Sequence, residues 1–326
     1  MFKKIFSLIF LTALFFSCKT TTEPIVYNRD ISAIDKENEI IQILIRNENF
    51  IEAEKHIEKN LVLYPDNPDV LLMKAWFLLQ TNKIADAESL FLKLLEKSRK
   101  NPLALTGMAR IKRRTGKTAE ALSFINEGLN YLSTNSFLWL EKGIILFESK
   151  DYKKAYIEFS KAYNLDSKNY DAYFFKYLTM LKMNRNLDDV KQYWESLLNR
   201  KNLQSWYFQL HADTLYSSGY KDYAANVVKE GLDHFANDPY LLNMLSFYLC
   251  EEYRISKDEE SIKTAKEKIL KCLEQTKELK PEFVDTYFLI LERSNETDLL
   301  KKELDKYKKI FPDSELISGW NKKTNK

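Results

Sequence analysis

Two residue types that interrupt helices are scarce in this sequence. The chain has only 7 glycines and 7 prolines among its 326 residues. Glycine and proline are the two least favourable residues inside a helix, so their scarcity favours a mostly helical protein. Because 326 residues exceed what one globular core usually holds, we expect either two domains or one elongated array.

Net charge and reactive side chains are also limited. The formal net charge is only +3, too balanced to indicate nucleic acid as the main partner. The three cysteines are Cys18, Cys250 and Cys272, with no CxxC pair and no metal-ligand spacing. A disulfide framework is not expected, although a single bridge between Cys250 and Cys272 is left open. Walker, GxGxxG and GxSxG motifs are absent, so the sequence predicts no enzyme, cofactor or metal site.

The N-terminus has the layout of a secretory leader. Lys3 and Lys4 come first, an uncharged apolar run covers residues 5–16, and Ser17 precedes Cys18. The run is shorter than the roughly 20 residues that span a bilayer. We therefore predict a signal peptide over residues 1–17.

A cysteine directly after a small residue resembles the lipobox of bacterial lipoproteins. The resemblance implies cleavage before Cys18 and a diacylglyceryl thioether on its sulfur, with acyl chains such as palmitate. The sequence departs from the usual box at Phe15, where leucine is common, and at Phe16, where a small residue is common. The alternative is an ordinary leader with an incidental cysteine. Residues 18–33 are expected to tether a folded body to the extracytoplasmic side of a membrane, at the periplasmic face or in the outer membrane.

Beyond residue 33 the sequence repeats at a fixed interval. A small residue recurs, followed four positions later by a large apolar residue and three after that by another core residue, which places all three on one helical face. The small residues in four successive, evenly spaced copies are Ala53, Ala87, Ala121 and Ala155. The period slips by one position near 187–189 and loosens at an insertion at 251–261. At the insertion we expect extended helices joined by a longer turn at 256–260.

A 34-residue helix–turn–helix with these residues resembles the tetratricopeptide repeat. Residues 136–169 match best, with Trp139, Gly143 and Ala155 in place. The resemblance implies an all-α solenoid of about eight repeats over residues 34–314, wound as a right-handed superhelix. Residues 315–326 are predicted to form a short capping helix, with Leu316 and Trp320 covering the last repeat, and a tail.

In the tetratricopeptide family the first helix of each repeat lines a concave groove, so the resemblance implies a protein or peptide ligand there. The predicted groove residues are aromatic, aliphatic or charged side chains of the first helices. They are Trp76, Arg110, Arg113, Arg114, Ile144, Phe147, Phe174, Leu178, Trp206, Asp213, Tyr216 and Phe247.

The stretch RIKRRTGK at 110–117 contains the one basic cluster among these residues. Arg110, Arg113, Arg114 and Lys117 fall on one face if the helix continues to Lys117. One interpretation is a site for an acidic protein segment or an anionic lipid headgroup. The other is a solvated helix end whose cations offset the helix dipole.

The sequence as a whole predicts a membrane-anchored scaffold or adaptor for protein–protein interactions in the bacterial cell envelope. An alternative function is a surface-exposed lipoprotein that binds a host or environmental macromolecule. Both interpretations place the partner in the groove and the membrane contact at Cys18.

Overall fold

The computed structural model describes the backbone of residues 31–46, 49–183, 186–199 and 203–324. The predicted signal peptide and Cys18 lie outside these ranges. The chain divides into two compact units, residues 5–199 and a second unit that contains residues 200–326. In the described ranges all regular structure is helical.

The first unit contains five helical hairpins. Each hairpin consists of a first helix and an antiparallel second helix, and consecutive helices contact each other. The helices are α1 (Ile31–Arg46), α2 (Phe50–Leu63), α3 (Pro68–Gln80), α4 (Ile84–Lys97), α5 (Pro102–Arg114), α6 (Thr118–Tyr131), α7 (Ser136–Glu148), α8 (Tyr152–Leu165), α9 (Tyr170–Lys182) and α10 (Leu187–Leu198). Helix α1 begins inside the predicted tether, shortly before the expected start of the array.

The second unit contains three hairpins and a final single helix. Its helices are α11 (Ser205–Ser217), α12 (Lys221–His234), α13 (Pro239–Ser256), α14 (Glu259–Gln275), α15 (Pro281–Arg293), α16 (Thr297–Ile310) and α17 (Glu315–Thr324). The described helices therefore make eight hairpins, as the repeat count predicts.

The repeated small residues mark the contact between helices. Ala53, Ala87, Ala121 and Ala155 each have 0% of their surface exposed. In the third hairpin Ala121 and Ile125 of α6 pack with Leu138 and Ile145 of α7 in one apolar cluster. Each second helix thus buries one stripe against its own first helix and against the next one, which is why an isolated hairpin cannot complete a core.

An asparagine begins every first helix from α3 to α9, at the same position of each repeat. The Asn101 carboxamide oxygen accepts hydrogen bonds from the backbone N–H groups of Leu103, at 3.1 Å, and Ala104, at 3.0 Å. Such an N-cap satisfies helix donors that have no partner within the helix. The four capping residues are Asn67, Asn101, Asn135 and Asn169.

We expect Asn101→Ala to lower the free energy of unfolding by about 1 kcal/mol, because alanine leaves these two donors unpaired. Chemical denaturation measures the change. Asn130→Ala is the matched control: Asn130 is exposed on α6, so its replacement should alter stability by less than about 0.5 kcal/mol. Equal losses for the two variants would rule out a capping role.

Gly143 lets α7 and α8 approach closely. A Cβ atom placed on Gly143 would lie 2.5 Å from two ring atoms of Phe159, a side chain with no exposed surface. Adjustment of such a core costs about 1–3 kcal/mol. The restriction at Gly143 therefore comes from the position of the Phe159 ring.

Gly143→Ala is therefore expected to destabilise the protein, although alanine adds up to about 1 kcal/mol of helix propensity. Gly319→Ala should do the reverse, because a Cβ at Gly319 in α17 would meet nothing within 4 Å. Thermal unfolding of the two variants should shift the midpoint in opposite directions. A stabilising Gly143→Ala would contradict the close approach.

The C-terminal segment differs in detail from the expectation. Trp320 is buried as predicted and donates from its indole nitrogen to the Asp285 carboxylate at 2.7 Å. Its buried companion is Ile317, while Leu316 is only half-buried. The helix also continues to Thr324, into the stretch expected to be tail.

The insertion lengthens helices more than it lengthens a turn. Helix α13 has 18 residues and α14 has 17, and only Lys257 and Asp258 separate them. The predicted longer turn over 256–260 is wrong. Lys257 adopts a left-handed conformation (φ 60°) and Asp258 caps α14 through the backbone N–H of Ser261, so two residues suffice to reverse the chain.

Candidate partner-binding surface

Three positions of each first helix recur at the repeat interval and contain most of the predicted groove residues. In α7 they are Leu140, Ile144 and Phe147, and in α9 they are Phe174, Leu178 and Leu181. We call these six residues the α7–α9 strip. The equivalent positions are Leu72, Trp76 and Leu79 in α3 and Thr106, Arg110 and Arg113 in α5. Apolar side chains thus occupy these positions everywhere in α3–α9 except on α5.

Leu140 and Ile144 of the strip lie on the side of α7 that is turned away from the second helices, whereas the Phe147 ring contacts Tyr152 and Phe159 of α8, with ring centres 5.4 Å and 6.5 Å apart. Leu138 and Ile145 of α7 pack with α6, and Gly143 lies against Phe159 of α8. With about 3.6 residues per turn, Ile144 falls on the opposite side of the helix, flanked by Leu140. This is the side that faces the groove in the expected arrangement.

Most of the predicted groove residues are buried in the structure. Ile144, Phe174 and Leu178 have 0% of their surface exposed. Small exposed fractions remain for another group: Trp76 6%, Phe147 3%, Trp206 5%, Asp213 8% and Arg110 6%. Arg113, Arg114, Tyr216 and Phe247 are half-buried. None of the twelve is a freely exposed side chain, and their role in binding stays a prediction.

The basic cluster is largely neutralised within the first unit. The Arg110 guanidinium donates from Nε to a Glu141 carboxylate oxygen at 3.0 Å, and both side chains are buried. Its planar group also lies 4.9 Å from the Trp76 ring centre and 5.6 Å from that of Phe137. One turn further along, Arg113 pairs with Glu148. Helix α7 thus supplies carboxylates of the kind that one interpretation of the sequence expected from an acidic partner.

The end of the basic stretch also differs from the prediction. Helix α5 ends at Arg114, and Gly116 (φ 75°) turns the chain, so Lys117 is not on the helical face of the arginines. Arg114 donates to the backbone carbonyl of Leu79 at 2.8 Å. Burial, followed by repulsion from Arg113 and Arg110, lowers the pKa of Arg114 to about 10. Arg114 is therefore still protonated at neutral pH. It differs from Arg110 and Arg113 in that it donates to a backbone carbonyl.

Comparison with known proteins agrees with the repeat geometry. The family model of the tetratricopeptide repeat matches residues 44–111, which comprise α2 to α4, most of α5 and the end of α1. These residues match the tetratricopeptide repeat, and the described helices have the fold of a tetratricopeptide solenoid. No curated protein matches its sequence.

Solved structures share the fold over a larger part of the chain. A tetratricopeptide repeat protein from Parabacteroides merdae is 15% identical, with a TM-score of 0.55 over 80% of this chain and 99% of its own. Yeast Tom70 is 16% identical, with a TM-score of 0.68 over 92% of this chain and 64% of its own. The APC/C hetero-tetramer Cut9–Hcn1 gives 13% identity and a TM-score of 0.58, over 92% of this chain and 57% of the matched one. At such identities the likeness shows the tetratricopeptide fold alone.

In the second unit the strip is not apolar: the equivalent positions of α11 hold Gln209, Asp213 and Tyr216. Tyr216 of α11 stacks on Tyr248 of α13, with ring centres 4.7 Å apart and planes at 1°, and meets the edge of Phe247 at 6.0 Å. Trp206 stacks on Tyr207 at 4.0 Å. The aromatic groove candidates therefore form pairs that fix one another's orientation.

The longer helices α13 and α14 form a cleft with α12 that sequence reasoning missed. Its volume is about 420 Å³, and its lining residues include Leu245, Leu249, Lys229, Asp258 and Lys268. The signal in the sequence was the insertion itself, which lengthens α13 to 18 residues and α14 to 17. The lining is partly apolar and carries charges of both signs.

Three buried titratable side chains of the array, Cys250, Cys272 and His211, are held in their uncharged forms. Cys250 and Cys272 are free, and burial raises their pKa values to about 11 and about 12, so both remain thiols at neutral pH. This answers the question of a bridge that the sequence left open. Burial lowers the pKa of His211 well below its ordinary value, which keeps the imidazole neutral. Within the described residues no three His, Cys, Asp or Glu side chains group as metal ligands.

None of the described helices is both long enough and apolar enough to cross a bilayer.

Proposed function

We propose that this protein is a membrane-tethered scaffold that binds a segment of another protein along the first helices of its tetratricopeptide repeats. The observation that carries the proposal is the α7–α9 strip. Six apolar side chains occupy equivalent positions in two adjacent first helices, and Leu140 and Ile144 lie on the side of α7 away from Leu138, Gly143 and Ile145. Apolar side chains supply most of the binding energy in helix-in-groove recognition. Because at most 3% of each of the six side chains is exposed in this structure, the proposal requires that the strip is uncovered when the partner binds.

The ion pairs made by Arg110 and Arg113 of α5 make an acidic partner segment less favourable. Glu141 and Glu148 neutralise Arg110 and Arg113, so a partner's carboxylates would have to displace carboxylates that are already well placed. Exchanging one ion pair for another yields little net free energy. The proposed partner therefore binds through apolar side chains, with Arg114 as a secondary contact.

The proposed anchor is the lipid on Cys18, and the proposed location is the cell envelope outside the cytoplasm. Support comes from the leader pattern of residues 1–17 and the polar stretch that follows it. Two or more acyl chains hold a protein stably on a membrane. A scaffold held in this way meets its partners within reach of its tether, which favours other envelope proteins.

A matched pair of substitutions tests the binding surface. Ile144→Glu places a charge on the α7–α9 strip, and Ile157→Glu makes the same change on α8, where Ile157 is 51% exposed. Proteins that copurify from gently solubilised membranes with the wild type should be lost with Ile144→Glu and retained with Ile157→Glu. If both variants keep the same partners, the strip is not the binding surface.

A further inference from the structure

Three tyrosines of adjacent helices in the first unit form a row of aromatic rings. The ring centre of Tyr163 in α8 lies 5.1 Å from that of Tyr173 in α9, which in turn lies 5.4 Å from that of Tyr193 in α10. All three side chains are half-buried. We call these residues the tyrosine row. Phe174 of the α7–α9 strip follows Tyr173 and lies about 100° further around α9, so the row is a separate surface.

The row stands where earlier repeats bury leucine. One and two repeats before Tyr163 and Tyr173, the equivalent positions hold leucines that are at most 7% exposed. They are Leu95 and Leu129 at the position of Tyr163, and Leu71 and Leu105 at the position of Tyr173. Leucine is therefore sufficient for packing between these helices, whereas tyrosine adds a larger ring and a hydroxyl group. Core packing does not account for this change of residue type.

The hydroxyl groups of the two outer tyrosines can serve a ligand. Within the part of the chain that the structure describes, neither the Tyr163 hydroxyl nor the Tyr193 hydroxyl has a hydrogen-bond partner. Tyrosine presents an apolar ring with a polar tip, and it is enriched at protein interfaces for this reason. The row itself is uncharged, whereas a platform for single-stranded nucleic acid combines stacking rings with a positively charged groove.

We propose that the tyrosine row binds a proline-rich segment of another protein in the polyproline II conformation. Such segments bind aromatic-lined surfaces because their backbone shape is preformed. They make no internal hydrogen bonds, so their carbonyl oxygens can accept from the Tyr163 and Tyr193 hydroxyls.

The spacing of the rings agrees with this ligand. The two steps between ring centres place Tyr163 and Tyr193 at most about 11 Å apart, and residues i and i+3 of a polyproline II helix are about 9 Å apart. Two prolines three positions apart can therefore contact the two outer rings. Three rings make a site far smaller than the roughly 800 Å² that each partner buries in a standard interface. The contact is transient and does not by itself retain a partner during copurification.

Binding of a polyproline peptide tests the row. The probe is a fluorescein-labelled polyproline peptide of about ten residues, or about three turns, added to the purified full-length protein. We expect saturable binding by fluorescence anisotropy, at least tenfold weaker with the double variant Tyr163→Leu and Tyr173→Leu. This variant should keep its unfolding midpoint, because α3–α6 bury leucine at the equivalent positions. Tyr131→Leu is the matched control and should bind like the wild type, since Tyr131 is a 42% exposed tyrosine of α6 outside the row.

The outcomes separate this proposal from its rivals. If the leucine variant lowers the unfolding midpoint, Tyr193→Ala replaces it. No saturable binding to the wild type, or equal affinity for the wild type and the leucine variant with folding intact, overturns the proposal. A row that binds an N-acetylglucosamine oligomer but not the peptide also overturns it, because the rings would then be a carbohydrate platform. Ile144→Glu should leave peptide binding unchanged, so failure at the row and failure at the α7–α9 strip are distinguishable.

Discussion

Glu141→Gln should lower the free energy of unfolding by about 3–5 kcal/mol, the usual loss when one member of a buried ion pair is neutralised. Glutamine keeps the shape of the side chain, so the effect isolates the charge. Arg110 would remain buried between the Trp76 and Phe137 rings with no carboxylate to neutralise it. Equilibrium urea unfolding, followed by circular dichroism, measures the loss.

Two controls separate burial of the Arg110–Glu141 pair from charge in general. Glu127→Gln breaks the Arg99–Glu127 pair, in which Arg99 is 60% exposed, and should cost less than about 1 kcal/mol. The double variant Arg110→Met with Glu141→Leu removes both charges and should be neutral or stabilising by about 1–4 kcal/mol. A double variant as unstable as Glu141→Gln would show that packing, and not the unpaired cation, causes the loss.

Cys18→Ala should move the protein from the membrane pellet to the soluble fraction. Each buried CH2 of an acyl chain contributes about 0.8 kcal/mol to membrane binding, so loss of the lipid removes the whole anchor. Fractionation after a high-salt wash, with detection by immunoblot, measures the distribution. The effect should approach complete release.

The matched control is Cys250→Ala, which removes a buried thiol and should leave the protein in the membrane pellet. A second variant joins the leader of an ordinary secreted protein to residues 19–326, so that an uncleaved leader cannot act as the anchor. If this variant also stays in the pellet, a lipid on Cys18 is not what holds the protein at the membrane.

The repeat was predictable because its signal is local and recurs. Ala53, Ala87, Ala121 and Ala155 are fully buried, as their spacing indicates, and the turns follow at the same interval. Small residues at so regular a spacing indicate helix contacts that recur with the same geometry. The same regularity makes the asparagine caps visible in the sequence once the start of each first helix is known.

The charge pairing was not predictable from one helix at a time. Arg110 and Glu141 are 31 residues apart, and Arg113 and Glu148 are 35 apart. Both separations lie close to the repeat length, so stacking of α5 beside α7 brings the side chains together. The sequence alone presents three arginines on one helix, and only the neighbouring first helix shows that two of them already have partners.

The periodicity places the groove candidates at equivalent positions of neighbouring helices but contains nothing about their exposure. Ile144 and Leu178 are one repeat apart, and neither has any exposed surface. Their complete burial depends on what lies against α7 and α9, which the spacing of residues cannot show. At the C-terminus the expected helix start, residue 315, is confirmed, but the neighbouring Ile317 is buried more fully than the predicted Leu316, which is half-buried.

A photoreactive side chain on the strip tests the central claim most directly. Benzoylphenylalanine would replace Phe147 on the strip or, as a matched aromatic control, Tyr131, which is 42% exposed at the end of α6. Irradiation of membranes that carry the processed protein should yield one discrete adduct with a second protein from position 147 and none from position 131. Adducts of equal yield from both positions, or none from 147, would contradict a scaffold that binds through the first helices of its repeats.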